Sequence, residues 1–556
     1  MSLGVYEILP RTAPPKGGVN EVGGKAWGLM RMAAEGLPVP AGFVLPTSWC
    51  RLLRSRCFED SALQASAMTE ALARGIGILE RATGLGFGSP RRPLLVSVRS
   101  GAAVSMPGML ETVLNVGLNP ETVEGLIRST GNPRLAWDSF RRLVQGYAEV
   151  VEALPAGPFE ELVAQALADA GVETERELDY GTLRGLTHAM LDRFEELIGR
   201  PFPRDPREQL VRAAGAVFRS WDAPKAASYR QLNGISNGGG TAVTVQAMVF
   251  GNAGGASGSG VGFTRNPATG EPELYLDFQF NGQGEDVVAG RQTTPDDQHL
   301  QVKLPSVWNR LKAIAHTLET LFRDAQDFEF TLQSGTLHLL QTRSAKRTQW
   351  AALRIAVDLV EAGLISPAEG MARLAGIDAG AVTRTRVAGG PDGQHLQPLA
   401  RAQVAGIGVA SGPVAFDSET AQRMNAAGTP AILVRRATIT ADIEGMASAA
   451  GILTATGGRT SHAAVVARQL GKVCLVACAE LEIDPGRRSC CIGGHTVQEG
   501  EVVSLDGDGG GIYLGAIEVV SERPERELAA IAAWHRGAAA SNWSSGGSPN
   551  SATSLS

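Results

Sequence analysis

The chain has 556 residues, of which 44% are hydrophobic and 19% are charged, and its formal net charge is −6. A chain of this size is expected to form roughly two to four domains, because single cores seldom grow beyond a few hundred residues. The acidic balance argues against a nucleic-acid-binding protein, which would carry a basic face. No apolar run is long enough to span a bilayer, and the start MSLGVYEILPRTAPPKGG lacks the pattern of a signal peptide. We therefore expect a cytoplasmic protein that binds neither nucleic acid nor a membrane.

The six cysteines do not follow a metal-binding pattern. Cys50 and Cys57 lie far from the four cysteines between positions 474 and 491, and no C-x-x-C pair occurs. Zinc sites usually present such pairs, and the expected compartment keeps thiols reduced. We expect reduced cysteines without a bound metal.

The first half of the chain mixes strands and helices. PAGFVLP and PLLVSVRS are short apolar runs bounded by Pro or Gly, which predicts strands, and GKAWGLMRMAAEGLPVP predicts a helix that ends at Gly-Leu-Pro. Residues 120–232 repeat Leu, Ala and Val every three or four positions, which predicts a helical region. GGGTAVTVQAMVFGNAGGASGSGVGFTRNP then predicts β-structure with a glycine-dense loop.

The second half is predicted to contain a hairpin, a connector and a separate α/β unit. Residues 308–323 form an amphipathic helical pattern, and DFEFTLQSG with LHLLQTRSAKR predicts a hairpin with Ser-Gly at its turn. Residues 350–375 predict a helical connector, and VAGGPDGQHLQP (387–398) predicts a flexible joint. Residues 401–517 alternate strands and helices as a compact α/β unit, and the final GAAASNWSSGGSPNSATSLS predicts a disordered tail.

A single histidine stands at a predicted helix start in TATGGRTSHAAVVARQLGK. Two glycines precede it, Thr460 or Ser461 can cap the helix, and Gly471 follows its last turn. In the first turn of a helix, free N–H groups and the helix dipole favour negative charge, which suits an imidazole that carries a phosphoryl group. From the residues alone, a polar side chain on a capped helix is the commoner explanation of such a histidine, and the phosphoryl carrier is the alternative.

The surroundings of His462 resemble the phosphohistidine motif of the phosphoenolpyruvate-utilising enzymes. The match covers the core Gly-Gly-x-Thr-Ser-His-Ala-Ala-x-x-Ala-Arg and extends to ADIEGMASAAGILT upstream and IGGHTVQEGEVVSLDG downstream. The resemblance implies that His462 carries phosphate between two distant active sites on a swivelling domain. It also places Thr460 at the position of a regulatory threonine.

A second group of polar residues indicates a nucleotide site. Lys25 follows two glycines at a helix start, and Arg99 ends a predicted strand. Asp327 and Glu329 alternate with apolar residues on one strand of the hairpin. Gln341 and Arg343 alternate in the same way on the partner strand. Such a face suits magnesium and polyphosphate, and it equally suits a solvated hairpin with cross-strand ion pairs.

Here the chain resembles the nucleotide domain of the pyruvate phosphate dikinase family, whose motifs occur in the same order across most of residues 17–348. The stretch SMPGMLETVLNVGLN separates it from phosphoenolpyruvate synthases and rifampicin phosphotransferases, which share the histidine domain. By matching motifs, the resemblance implies ATP and Mg²⁺ as cofactors. The implied phosphate contacts are Lys25, Arg99, Arg343 and one of Arg141 or Arg142. The implied magnesium ligands are Glu329 and Gln341, with Asp327 and Glu285 nearby, and the implied neighbours of adenine are Gln246 and Met248.

The glycine-rich stretch GNAGGASGSG (251–260) would, by the same resemblance, close over the phosphates through backbone N–H groups. It departs from the family pattern, which usually has acidic residues where Gly255 and Ala256 stand. This departure is expected to change the mobility of the loop or the handling of inorganic phosphate.

The expected fold class is a multidomain α/β and α+β protein, with an ATP-grasp nucleotide-binding domain followed by a swivelling phosphohistidine α/β domain. The expected boundaries are 1–348 for the nucleotide domain, with its helical insertion at about 120–232, and 349–400 for the helical connector and hinge. Residues 401–517 would form the phosphohistidine domain, and 518–556 a truncated linker helix with a disordered tail.

The expected activity is ATP- and phosphate-dependent phosphorylation of His462, giving AMP and pyrophosphate. Full-length relatives continue into a (β/α)8 barrel that binds pyruvate and phosphoenolpyruvate, for which the remaining residues leave no room. Transfer to pyruvate would then need a partner protein that supplies the barrel. Two alternatives stay open, namely a phosphotransferase for another small molecule and a phosphohistidine relay or regulatory protein. A homodimer is also left open.

Overall fold

The computed structural model describes residues 4–54, 61–104, 106, 109–284, 297–388, 397–459 and 461–545. Glu285, Thr460, Cys57 and most of the predicted joint at 387–398 lie outside these residues. Over the described part of the chain, no helix has both the length and the apolar character needed to cross a membrane.

The N-terminal sheet is antiparallel throughout and has the order β1-β2-β7-β5-β6. Its strands are β1 (Tyr6–Ile8), β2 (Gly42–Leu45), β5 (Val96–Ala102), β6 (Thr112–Val116) and β7 (Thr241–Ala247), and the short β3 (Gly86–Phe87) and β4 (Pro93–Leu94) pair separately. One face of this sheet is apolar, because alternate residues of β2, β5 and β7 are buried in one hydrophobic core. The opposite face is polar and carries Ser97, Arg99, Thr244 and Gln246, which the strand register places side by side.

The predicted helical region at 120–232 is confirmed. The helices before and within it are Val19–Ala34, Thr47–Arg54, Ser61–Thr83, Pro120–Thr130, Pro133–Val150, Gly157–Ala170, Tyr180–Ile198, Pro206–Arg219 and Pro224–Leu232, with a 3-10 turn at Ser220–Asp222. The side chains of Asn119, Asn132 and Asp179 accept hydrogen bonds from backbone N–H groups at helix starts. Gly131 and Gly171 end two helices in the left-handed conformation, in which glycine has no steric penalty.

The second sheet contains the predicted hairpin. Its order is β11-β10-β8-β9, with strands β8 (Gly258–Phe263), β9 (Tyr275–Phe280), β10 (Gln326–Gln333) and β11 (Thr336–Ser344). Ser334 and Gly335 form the turn with φ angles of 48° and 83°, as the primed two-residue turns of hairpins require. Helices Asp297–Lys303 and Pro305–Phe322 precede β10.

The C-terminal α/β layer is an eight-stranded sheet with the order β13-β23-β22-β15-β16-β17-β18-β14. Strands β15 to β18 pair in parallel, and helices Ser418–Ala426, Ile443–Ser448 and His462–Leu470 lie between them in the chain. The strands of this sheet are β13 (Ala400–Arg401), β14 (Gln403–Gly406), β15 (Val409–Ala415), β16 (Ile432–Arg435), β17 (Gly451–Thr454), β18 (Val473–Val476), β22 (Val502–Asp506) and β23 (Gly511–Leu514). A small sheet of β19 (Leu481–Asp484), β20 (Ser489–Ile492) and β21 (His495–Gln498) adjoins it in sequence.

The chain segments that enter and leave this layer pair with each other. β12 (Arg384–Val387) and β24 (Val519–Glu522) form a two-stranded antiparallel ribbon, after the short 3-10 turn Ala379–Ala381. The connector helix Gln349–Glu361 shares a core with the last helix, Glu525–Ser545, and Gly370 of the helix Pro367–Arg373 lies against Trp534 of that last helix. The tail predicted to be disordered from position 537 is therefore helical as far as Ser545, where the described residues end.

The chain divides into two compact units. Unit 1 comprises Met1–Gly258 and Glu329–Arg343, and unit 2 comprises Ser259–Phe328 and Ser344–Ser556. This division does not coincide with the predicted boundary at 348, because residues 259–328 pack with the C-terminal half. The hydroxyl of Tyr275, for example, donates a hydrogen bond of 2.8 Å to the carbonyl oxygen of Val404.

Candidate functional site

In unit 1, the helix Val19–Ala34 is bent at Gly23, which adopts φ 78° and ψ 158° inside the helix. Only glycine adopts this conformation readily. A Cβ atom built on Gly23 would lie 2.0 Å from the carbonyl oxygen of Gly101 at the end of β5. Lys25 stands two residues after Gly23, and its Cβ lies 3.9 Å from the position that a Cβ on Gly101 would take. The bend therefore brings Lys25 onto the polar face of the sheet, beside Arg99.

Lys25 is in a strongly cationic environment. The pKa of Lys25 is lowered to about 8, chiefly by burial and also by the guanidinium groups of Arg99 and Arg343, while the carboxylate of Glu329 opposes this shift. Three cationic side chains thus converge with one carboxylate. Such a surplus of positive charge is suited to binding a polyanion such as a nucleotide phosphate chain.

The hairpin carries the other residues of this group. Nε2 of Gln341 donates to Oε1 of Glu329 at 3.4 Å, so the two side chains lie side by side across β10 and β11. Nη1 of Arg99 reaches the carbonyl oxygen of Leu340 at 3.5 Å, which links β5 to the same hairpin. Unit 1 therefore brings together Lys25, Arg99, Glu329, Gln341 and Arg343, five of the residues singled out from the sequence.

The oxygen donors of the hairpin fit a magnesium ion. The contact between Gln341 and Glu329 uses one amide nitrogen and one carboxylate oxygen, which leaves Oε2 of Glu329 and the amide oxygen of Gln341 as hard donors. Mg²⁺ is usually held by one or two carboxylates together with substrate phosphates and water. In the described residues there is no cluster of three His, Cys, Asp or Glu side chains that could hold a metal ion.

Asp327 lies two residues before Glu329 on the same face of β10 and is 4% exposed. It belongs to unit 2 in the division of the chain, so its relation to the cationic group of unit 1 stays a prediction. Glu285, the other carboxylate of the predicted set, lies outside the described residues.

Gln246 and Met248 lie at the end of β7. Gln246 is 1% exposed, its Nε2 donates to the carbonyl oxygen of Pro40 at 2.9 Å, and its Oε1 has no hydrogen-bond partner among the described residues. The backbone N–H of Met248 donates to the carbonyl oxygen of Leu95 at 2.9 Å. A buried acceptor without a donor is uncommon in a folded protein, which makes Gln246 a candidate contact for a ligand donor.

Arg141 and Arg142 are both paired with Asp138, one helical turn earlier. Arg141 is 2% exposed and bonds Asp138 and Glu175, and Nε of Arg142 lies 3.2 Å from Oδ2 of Asp138. Burial alone would raise the pKa of Asp138, but the two guanidinium groups hold it below its usual value. The structure thus shows both arginines in a buried ion-pair network, and a phosphate contact by either stays a prediction. Sequence reasoning missed Asp138, although its i, i+3 and i, i+4 spacing to the arginines was visible.

In unit 2, the predicted helix at His462 is confirmed. His462–Leu470 is helical, the side chain of Ser461 caps it by accepting from the N–H of Ala464, and Gly471 ends it with φ 64°. The position of Thr460 and the side chain of His462 lie outside what the structure describes. The backbone of His462 therefore occupies the first helical position, where anions are favoured.

Arg468, on the same helix, holds the loop before His462. It is 1% exposed, and its Nη1 donates to the carbonyl oxygen of Arg459 at 2.9 Å and reaches that of Ala405 at 3.4 Å. Its Nε and Nη2 have no hydrogen-bond partner among the described residues. Burial lowers the pKa of Arg468, while Tyr275 and other groups oppose this. Sequence reasoning treated this arginine only as part of the motif.

The same loop lies against β9 within unit 2. The guanidinium of Arg459 stands 4.8 Å from the ring centroid of Tyr275, a cation–π distance. A Cβ built on Gly458 would lie 2.7 Å from Oδ2 of Asp277, so glycine permits a close approach there. Burial raises the pKa of Tyr275 to about 12, which keeps its hydroxyl a donor to Val404.

Two families match parts of the chain. Residues 60–308 match the family described as "Pyruvate phosphate dikinase, AMP/ATP-binding domain", and residues 428–510 match the family described as "PEP-utilising enzyme, mobile domain". The first match includes the polar face of β5 and β7, and the second includes His462 and Arg468.

The chain is also similar to curated proteins over most of its length. It is 42% identical over 531 residues to pyruvate, phosphate dikinase of Clostridium symbiosum, and 41% identical over 533 residues to the protein of the same name from Rhizobium meliloti. Each alignment covers 93% of this chain and 58% of the relative. Pyruvate, phosphate dikinase 1, chloroplastic, of Zea mays is 41% identical over 515 residues, which cover 92% of this chain and 54% of the relative. The chain thus spans little more than half the length of these relatives.

Proposed function

We propose that this chain, which matches the AMP/ATP-binding domain of pyruvate phosphate dikinase and the mobile domain of PEP-utilising enzymes, catalyses ATP-dependent phosphorylation of His462. The observation that carries this proposal is the convergence of Lys25, Arg99 and Arg343 on one carboxylate, Glu329, in unit 1. That arrangement is suited to a nucleotide triphosphate, whose charge the three cations would neutralise.

The proposed roles in the nucleotide site combine this geometry with the motif resemblance. Lys25, Arg99 and Arg343 bind phosphate oxygens, together with Arg141 or Arg142, and Gln246 and Met248 line the adenine. The free acceptor Oε1 of Gln246 supports its role, because adenine offers an amino group as donor. Glu329 and Gln341 hold Mg²⁺, with Asp327 and Glu285 nearby. The ion supplies charge neutralisation of the transferring phosphoryl group.

The proposed reaction uses His462 as nucleophile. A ring nitrogen of His462 attacks the β-phosphorus of ATP, the bond to the α-phosphate oxygen breaks, and AMP leaves. The γ-phosphoryl group then passes to inorganic phosphate, which yields pyrophosphate and phosphohistidine. Positioning and neutralisation of charge supply most of the catalysis, and the helix start at His462 favours the negative charge of the product.

The proposed architecture is an ATP-grasp nucleotide domain at 1–348, a connector and hinge at 349–400, a swivelling phosphohistidine domain at 401–517 and a linker helix from 518. Transfer from His462 to pyruvate would use a barrel that binds pyruvate and phosphoenolpyruvate. The residues assigned above do not form that barrel, which a partner protein or further residues would supply. Thr460 is the proposed position of regulation.

The proposal is tested by incubating the full chain with Mg²⁺, inorganic phosphate and ATP labelled at either the β or the γ position. We expect acid-labile β-label on the wild type and none on His462→Ala. His495→Ala, at an exposed position of unit 2, is the matched control and should be labelled like the wild type. Transfer of the γ-label to the protein, or β-label on His462→Ala, would contradict the proposal. Loss of the label on adding pyruvate would show that the chain tested itself provides an acceptor site for pyruvate, whereas retention is expected if that site lies on a barrel supplied from elsewhere.

A further inference from the structure

The glycine loop, defined here as residues 250–257, is closed at both ends on the turn of the β10–β11 hairpin. At its start, the backbone N–H of Phe250 donates to Oε1 of Gln333 at 2.8 Å. At its end, the carbonyl oxygen of Ala256 accepts from the N–H of Gly335 at 2.8 Å. All these residues belong to unit 1. The hairpin turn therefore anchors both ends of the loop.

Ser257 completes this closure from inside the loop. Its side chain is completely buried, its Oγ accepts from the N–H of Ser334 at 2.9 Å, and its hydroxyl donates to the carbonyl oxygen of Gly254 at 2.6 Å. One hydroxyl thus joins the hairpin turn to the crest of the loop. A buried hydroxyl with both its donor and its acceptor used is a rigid connection.

The crest itself is open and glycine-only. Gly254 and Gly255 have φ angles of 82° and 54°, and a Cβ built on either would meet no atom within 4 Å. Backbone N–H groups at such a crest can approach a phosphate without side-chain obstruction. The crest, Gly254 and Gly255, lies where the sequence departs from the family pattern, which usually has acidic residues at 255 and 256. Its shape therefore depends on the hydrogen bonds that fix the loop to the hairpin and not on an acidic side chain.

The same hairpin carries Glu329, Gln341 and Arg343 on the strands that lead away from the turn. We infer that Ser257 and Gln333 are positioning residues, which hold the glycine loop on the hairpin so that the loop and these side chains approach the nucleotide as one body. The inference rests on the proposed nucleotide site. Because the proposed function puts Mg²⁺ and the transferred phosphoryl group beside Glu329 and Gln341, a loop fixed to this hairpin would contact the outer phosphates of ATP.

The test compares ATP with AMP, which lacks the two outer phosphates. Dissociation constants for both nucleotides are measured by calorimetry on the full chain for the wild type, Ser257→Ala and Gln333→Leu. We expect the constant for ATP to rise about tenfold in each variant, as loss of a buried hydrogen bond at an anchor predicts, and the constant for AMP to change less than about twofold. Ser236→Ala is the matched control, because Ser236 also accepts a backbone N–H in a glycine-rich segment but is exposed. It should bind both nucleotides like the wild type.

The outcomes distinguish failure of the inference about Ser257 and Gln333 from failure of the proposed function. AMP binding close to that of the wild type shows that a variant has folded around its nucleotide site, and a general loss of structure is recognised separately by a lowered thermal unfolding midpoint. Equal weakening, or no weakening, in both Ser257→Ala and Gln333→Leu overturns the inference while leaving the proposed function intact. Failure of the wild type to bind ATP overturns the proposed function itself.

Discussion

Gly23 and Gly101 approach so closely that a Cβ atom on Gly23 would lie 2.0 Å from the carbonyl oxygen of Gly101. The contact joins a helix bend to the end of a central strand, and both partners are main-chain atoms that cannot turn aside. The close approach of Gly23 to Gly101 fixes the position of Lys25 above the sheet. The neighbouring Gly24 has no such constraint, because a Cβ there would meet its nearest atoms at 3.6 Å.

Gly23→Ala is therefore expected to destabilise the chain by at least about 2 kcal/mol, since it combines a conformation nearly restricted to glycine with a main-chain overlap. It should also weaken ATP binding by displacing Lys25. Gly24→Ala should leave the thermal unfolding midpoint and the ATP dissociation constant close to those of the wild type. Equal effects of the two substitutions would contradict this account of the bend.

The lowered pKa of Lys25 predicts opposite effects of pH on stability and on ATP binding. Between about pH 8 and its ordinary value of 10.5, the folded chain holds fewer protons at Lys25 than the unfolded chain, so this group makes the free energy of unfolding rise with pH. ATP binding needs the ammonium form and should weaken by up to about tenfold per pH unit above 8. Titration of the ATP dissociation constant from pH 7 to 9.5 tests this. Lys25→Arg keeps its positive charge and should make the ATP dissociation constant nearly independent of pH in this range. An equally flat dependence for the wild type would exclude Lys25 as the group that titrates.

The buried network around Asp138 predicts a large cost for removing its charge. Asp138→Asn leaves the guanidinium of Arg141, which is 2% exposed, short of its partner, and breaking such a buried pair costs about 3 kcal/mol or more. The thermal unfolding midpoint measures the effect. Glu70→Gln removes an exposed i, i+4 partner of Arg74 and should shift the midpoint little. A small shift for Asp138→Asn would mean that the network contributes little.

Arg468 is expected to act on phosphorylation of His462 without touching the nucleotide. Arg468→Lys keeps the charge, but the shorter lysine lacks the planar guanidinium whose Nη1 contacts both carbonyl oxygens, so the loop before His462 loses its support. The rate of phosphohistidine formation at saturating ATP should fall between about tenfold and a hundredfold, with the dissociation constant for ATP unchanged. Arg487→Lys, at a side chain 86% exposed in the same unit, is the control. A parallel change in ATP affinity would show that Arg468 does not act through the loop.

Local features of the structure could be predicted from the sequence because their causes are local. The helix at His462 needs only its cap at Ser461 and its glycine at 471, and the hairpin needs only alternation and the Ser334–Gly335 turn. The disordered tail was predicted too early, because the apolar residues Ile531 and Trp534 bind the last helix to the connector helices, and composition alone does not reveal that partner.

The candidate site was predicted as a set of residue types and not as a geometry. Alternation placed Glu329 and Gln341 on facing strands, and helical spacing allowed the pairing of Arg141 with Asp138, yet the hydrogen bond of Arg468 to the carbonyl oxygen of Arg459 was not visible in any motif. That contact depends on which way a side chain turns once its helix is packed. A sequence pattern carries no information on that choice.

The amino-acid sequence by itself determined the order of the segments, the helix that begins at His462 and the residues with which phosphate chemistry is associated. Only the tertiary structure decided that Arg99 reaches a strand 241 positions away, and that Ser257 stands on a turn 77 positions further along the chain. The reason is physical. Caps, turns and alternation are decided over a few neighbouring residues, whereas contacts between distant segments depend on how whole helices and sheets bury their apolar faces.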